Sequence, residues 1–177
     1  MTQALARLEL LSRTGWDRHT PNMLRAIAHH PRLLEPFLGF AAALARGELP
    51  RRESELLALR AAWNCRSEFE WGHHALYARA AGLSDAEIAS VAIGPAAPGW
   101  SDADCVLLRA ADELHAQQSI GEATWAALAS RWNAAQLVEI AFVVGQYTML
   151  SMVAGAIAIP LEDGLPLLPR AAGAKVS

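Results

Sequence analysis

Recurring helix punctuation constrains this chain more than any other feature. Ser67-Glu68-Phe69-Glu70 and Ser84-Asp85-Ala86-Glu87 both place an acid three residues after a serine, and Ser101-Asp102-Ala103-Asp104 opens a third helix in the same way. In the first two, the serine oxygen can accept the N–H of the third helical residue while the acid reaches back to the serine N–H, a capping box. Gly47, Gly82 and Gly94 stand where such helices would stop. Runs of alternating β-branched and aromatic residues do not occur. The expected fold class is therefore all-α, a compact bundle of about eight helices.

The spacing predicts helices over Pro21 to about His30, closed by Pro31, then Pro36–Gly47 and Pro50–Cys65. Ser67–Gly82, Ser84–Gly94 and a helix from Ser101 follow, then Glu122–Trp132 and a long apolar helix from Asn133 or Ala134 toward Ile159. Pro95–Trp100 separates two helical halves but is too short for a flexible linker. One domain is expected over 1–177, with its core at about 21–160 and a tail, 161–177, that is extended or disordered at its end.

Composition then narrows the functional classes. Apolar residues make up 53% and charged residues 19%, so apolar surface has to be hidden in a large core, a subunit interface, or both. With a net charge of −3 and scattered basic residues, nothing resembles a phosphate-binding stripe, and nucleic acid is not an expected partner. No apolar run reaches the roughly 18–20 residues of a bilayer span. The nearest, Ile140–Pro160, is interrupted by Gln146, Tyr147, Thr148 and Ser151. No membrane association is expected, and MTQALARLELL lacks the basic start of a secretion signal, which predicts a cytoplasmic location. Cys65 and Cys105 are the two cysteines, expected as reduced thiols and too few for a disulfide framework.

Chemistry is concentrated between Arg51 and Ile88. On one helix, Glu70 and His74 are four residues apart and share a face, with Ser67 one turn earlier. Glu55 lies on the preceding helix, and a tight hairpin can bring it to the same place. An imidazole that titrates near neutrality beside a tunable carboxylate suits proton transfer. Spacing leaves open which group is the base, and Glu–His pairs at this spacing are also common on solvated helix faces.

The whole segment adds weight to the chemical reading. Glu55, eleven intervening residues, Ser67-x-x-Glu70-x-x-x-His74, then Ala81-Gly82-Leu83-Ser84 and Glu87-Ile88, resemble the core of the carboxymuconolactone decarboxylase and alkylhydroperoxidase D superfamily. In its redox branch two cysteines stand where this chain has Ser67 and Glu70. Neither replacement can form the disulfide of a dithiol peroxidase. Cys65 lies two positions ahead of the first of those sites and is expected to be a plain buried thiol.

The resemblance thus points to the non-redox branch. It implies an enzyme needing no cofactor that uses proton transfer on a small organic acid or lactone, with Glu55, Glu70 and His74 as catalytic candidates. Ser67, His73 and Tyr147 are candidates for touching the substrate. A homo-oligomer, trimer or hexamer, is also implied. The rival readings are a peroxidase-type oxidoreductase and a non-catalytic oligomeric small-molecule binder. Glu70-Trp71-Gly72-His73 matches half of a di-iron motif, but no second copy occurs and no metal is expected. Hydrogen bonding or solvation is the default for His73, and burial against a neighbour is the default for Tyr147 and Gln146.

Overall fold

The computed structural model describes residues 21–169. Eight helices follow one another among them: α1 Asn22–Ile27, α2 Pro31–Ala45, α3 Arg51–Asn64, α4 Glu68–Ala80, α5 Asp85–Ile93, α6 Asp102–Gln117, α7 Glu122–Ala129 and α8 Ala134–Ile157. No strand occurs among the described residues. The reading of the amino terminus falls outside them, as does the tail from residue 170.

Local capping chemistry sets most of the boundaries. Ser84 with Glu87, Ser101 with Asp104, and Asn133 with Gln136 form complete capping boxes, each closed in both directions. Ser67 forms only half of the expected one: its oxygen accepts the Glu70 N–H at 3.3 Å. The Ser67 N–H is already given to the Ala62 carbonyl at 2.9 Å. Glu70 is thereby released from capping and turns inward.

Three expectations need correction. α2 starts at Pro31 rather than Pro36, because a proline at the first helical position lacks an N–H that would be unpaired anyway. Pro36 sits inside that helix, where its ring forfeits one bond to the turn before. α7 ends at Ala129, short of Trp132. Lastly, α8, the long helix expected toward Ile159, is by length and composition apolar enough to cross a bilayer, although no apolar run of that reach is expected from the sequence.

α3 is the central element and packs against α4, α5, α6 and α8. Every residue from Ser54 to Ala62 is buried. Leu56, Leu57 and Leu59 meet Leu107 and Leu108 of α6, Leu128 of α7, and Ile140 and Val143 of α8 in the main core. Arg60 is buried there too. Its guanidinium binds Asp112 at 2.6 and 2.9 Å and the Val91 carbonyl at 2.7 Å. Gly94, at φ 95°, gives it room: a Cβ there would lie 2.6 Å from Arg60 Nη2. A second cluster, with Met23, Ile27, Phe69, Leu150 and Ile159, joins α1, α4 and the end of α8.

The corner between α2 and α3 is fastened to α8. Buried Glu139 accepts the N–H groups of Glu48 at 2.6 Å and Leu49 at 3.2 Å. Its carboxylate approaches so closely that a Cβ on Gly47 would overlap it. α2 itself contributes no buried residue. It leans on α8 through Phe40 and Phe142, whose ring centres are 5.9 Å apart. The outer face of α8 leaves Val138, Phe142, Met149 and Met152 exposed, Met152 to 67%.

Candidate active site

The α3–α4 hairpin brings Glu55, Glu70 and His74 together. Each is nearly sealed, at 1%, 3% and 4% exposure respectively. His74 Nδ1 lies 2.6 Å from Glu55 Oε2. Arg51, one turn ahead of Glu55 on α3, reaches Glu55 Oε1 at 2.5 Å. Glu55, paired with this guanidinium, accepts from Nδ1, an assignment of the tautomer that leaves Nε2 without a proton in the neutral ring. Nε2 faces Glu70 Oε2 at 3.7 Å, beyond hydrogen-bonding distance.

Glu70 differs sharply from Glu55. Its Oε1 is buried with neither a hydrogen-bond partner nor a cation, whereas Glu55 Oε1 meets Arg51. Burial pushes its pKa up from 4.5 to about 7, His74 opposes that rise, and Glu162 adds to it. A pKa there lets Glu70 give or take a proton near neutrality, inside a site whose other carboxylate is paired with a cation. Two acids and one imidazole thus divide into an orienting acid, a ring of set tautomer, and an acid poised to give or take a proton.

Aromatic rings close the cluster. Tyr147 of α8 stands edge-on to His74 with ring centres 4.1 Å apart, and Tyr77 stands edge-on at 5.4 Å. Burial, and then the charge of Glu55, raises the pKa of both phenols, so both stay protonated at neutral pH. Their edges and walls exclude water from the imidazole.

The other candidates lie around this centre. Ser67 spends its oxygen on capping α4 and lines a cavity of about 260 Å³ between the start of α4 and the end of α8, shared with Cys65, Phe69, Ser151, Gly155 and Ile159. Glu55, Glu70 and His74 are not among its walls. His73 points away from His74 and pairs through Nε2 with Glu162 Oε2 at 2.8 Å. Both cysteines are free thiols and half-buried, Cys65 less hidden than expected. Cys65 Sγ lies 3.8 Å from His115 Nδ1, whereas Cys105 faces the Pro95 carbonyl.

Sequence reasoning missed Arg51, Tyr77 and Glu162. Arg51-x-x-x-Glu55 and His74-x-x-Tyr77 carry helical spacings that were there to be read. Glu162 carried no signal, being 89 positions from its partner.

Comparison with known proteins finds matches to part of the sequence and to the fold. Residues 31–113, which include all three acid–base residues, match the Carboxymuconolactone decarboxylase family. No curated protein matches the sequence significantly. Among solved structures, an uncharacterized peroxidase-related protein from Silicibacter sp. TM1040 superposes with a TM-score of 0.73 at 23% identity, covering 81% of this chain and 77% of that one. A peroxidase-related protein from Ralstonia eutropha JMP134, described as an alkylhydroperoxidase AhpD core, gives 0.73 at 19% identity over 90% and 84%. The debrominase Bmp8, solved as a cysteine-to-alanine variant in complex with 2,3,4-tribromopyrrole, gives 0.73 at 14% identity over the same shares, 90% and 84%. At these identities the neighbours show a shared fold, that of alkylhydroperoxidase D-like proteins. Residues 31–113 thus match the carboxymuconolactone decarboxylase family, in a chain whose two cysteines, Cys65 and Cys105, stand far apart rather than as the pair of the redox members.

Proposed function

We propose that the protein is an enzyme needing no cofactor that moves protons on a small organic acid or lactone, in the manner of a decarboxylase. The carrying observation is the buried trio in which Arg51 and Glu55 orient His74 while Glu70 keeps an unpartnered oxygen and a pKa near 7. Loss of carbon dioxide from a carboxylated lactone leaves its electron pair on an enolate. Protonated Glu70 then donates to carbon and is left as a carboxylate, and a proton taken up from solvent by His74 Nε2 passes across the 3.7 Å gap to restore the acid.

Carbon dioxide release from a panel of carboxylated lactones and β-keto acids tests this reading. His74→Ala and Glu70→Gln are expected to lower turnover by about a hundredfold or more with helical content unchanged. Full activity in both variants would overturn the assignment.

One observation favours a second reading, a thiol peroxidase: Cys65 borders the cavity with His115 at its sulfur. Hydroperoxide consumption unaffected by changing Cys65 and Cys105 to serine removes it. Self-association is part of the main proposal, through the uncovered apolar faces of α2 and α8.

A further inference from the structure

The acid–base trio is sealed, so substrate can reach it only if something moves. α3 and α8 hold the other sides of the site and are built into the main core. The chain after α8 is different. Ala158, at φ 52°, turns it back, and residues 159–169 run without helix along α4.

Two contacts seat this strap. Leu161 and the Pro166 carbonyl press on Gly72, where a Cβ would meet Leu161 Cδ1 at 2.6 Å and the Pro166 oxygen at 3.1 Å. A glycine inside a helix is unfavourable relative to alanine, and Gly72 has no positive φ to require it, so the close approach of the strap accounts for it. The second contact is a latch. Glu162 Oε1 accepts the Asn22 N–H at 2.7 Å, and Oε2 pairs with His73 Nε2 at 2.8 Å. Asn22 Nδ2 in turn donates to the Pro160 carbonyl at 3.0 Å. The His73 ring packs between Phe69 and Tyr77, with centres 4.7 and 6.4 Å away, and Tyr77 itself stands against His74.

We infer that residues 159–169 are a gate on the flank of α4, held shut by Glu162 on His73 and by Leu161 on Gly72, whose opening admits small molecules to Glu70 and His74. The inference rests on the reading of those two residues as the site of chemistry. The strap lies outside the family-matched segment 31–113. Ile159 and Leu168 pin the ends of the segment to the two cores, whereas its middle, without internal helix bonds, is held by Glu162 and Leu161 and opens at lower free energy than the core helices beside it.

Access can be read without turnover. Carbethoxylation of His74 by diethyl pyrocarbonate, followed residue by residue by peptide mass spectrometry, reports how often the flank opens. Glu162→Ala removes the latch, and Gly72→Ala fills the seat while favouring the helix. Each is expected to raise the His74 rate by about tenfold, with Glu162→Gln, which keeps hydrogen-bonding capacity toward Asn22 and His73, within about threefold of the parent. Amide exchange in α3 serves as the unfolding control and is expected to stay unchanged. Unchanged His74 rates in both variants, or rates that rise only together with α3 exchange, overturn the gate. Because His74→Ala turnover and His74 accessibility are separate measurements, failure of the gate leaves the catalytic reading standing, and the reverse holds as well.

Discussion

α2 and α3 are neighbours in the chain with opposite fates. Seven of the fourteen residues of α3 are polar, yet nine successive residues are buried; α2 carries two charged residues in fifteen and buries none. Composition alone would exchange their places. What decides burial is whether each polar group finds a partner: Arg60 has Asp112 and a carbonyl, Arg52 has Asp104 and Glu87, and Glu55 has Arg51 and His74. α2 lies at the edge, packed on α1 and α8; Leu34, Phe37 and Leu44 are partly covered, whereas Leu33 and Leu38 remain exposed in the single chain.

The sharpest way to break this contrast is to remove a polar group from α3. Arg60→Ala leaves Asp112 and the Val91 carbonyl without their donor and opens a void in the core. It is expected to cost about 3 kcal/mol in a denaturant titration. A cost below that of truncating an apolar residue of α2 would end the argument that α3 is held by its pairings.

Glu70→Gln sharpens the contrast from the side of function, since Glu70, unlike Glu55, has a buried oxygen that meets no cation. A folded-state pKa raised to about 7 from 4.5 means that the folded chain keeps a proton the unfolded chain releases. Stability associated with Glu70 is thus full below about pH 4.5, falls as pH rises toward 7, and is flat above. The variant is expected to lose that slope and to be more stable at pH 8 by roughly 2 kcal/mol, while losing turnover. Parallel pH–stability curves for the two proteins would remove the buried-acid account.

The smallest effect on the single chain, with the largest on its assembly, is expected outside the core. Phe142→Lys places a charge on the uncovered face of α8 and should weaken self-association by about tenfold or more in sedimentation, with unfolding of the dissociated chain changed by less than about 1 kcal/mol. Leu33→Ser in α2 should change the latter by less than about 0.5 kcal/mol. Unaltered association in both variants would leave the apolar faces unexplained.

These contrasts also show what the sequence discloses. Capping is decided by residues three apart, so the starts at Ser84, Ser101 and Asn133 are legible from local chemistry alone. Glu70 and His74 share a face by helical arithmetic, and the resemblance supplies Glu55 from the helix before. The start of α2 escapes such reading because a proline can both close one helix and open the next. Glu162 is invisible because it meets His73 only through tertiary packing, and His73 therefore turns toward the strap rather than the trio. The half-made box at Ser67 is instructive: the pattern that reads as a cap is also the source of the inward acid.

Glu139 has one last consequence. By gripping Glu48 and Leu49 just before α3 begins, it anchors the backbone at the point where the edge helix hands over to the central one. Displacement of α2, whether by sliding, by exchange with a neighbouring copy or by local melting, meets a fixed end there. The molecule can remodel its periphery while the register of Glu55 on His74 is conserved.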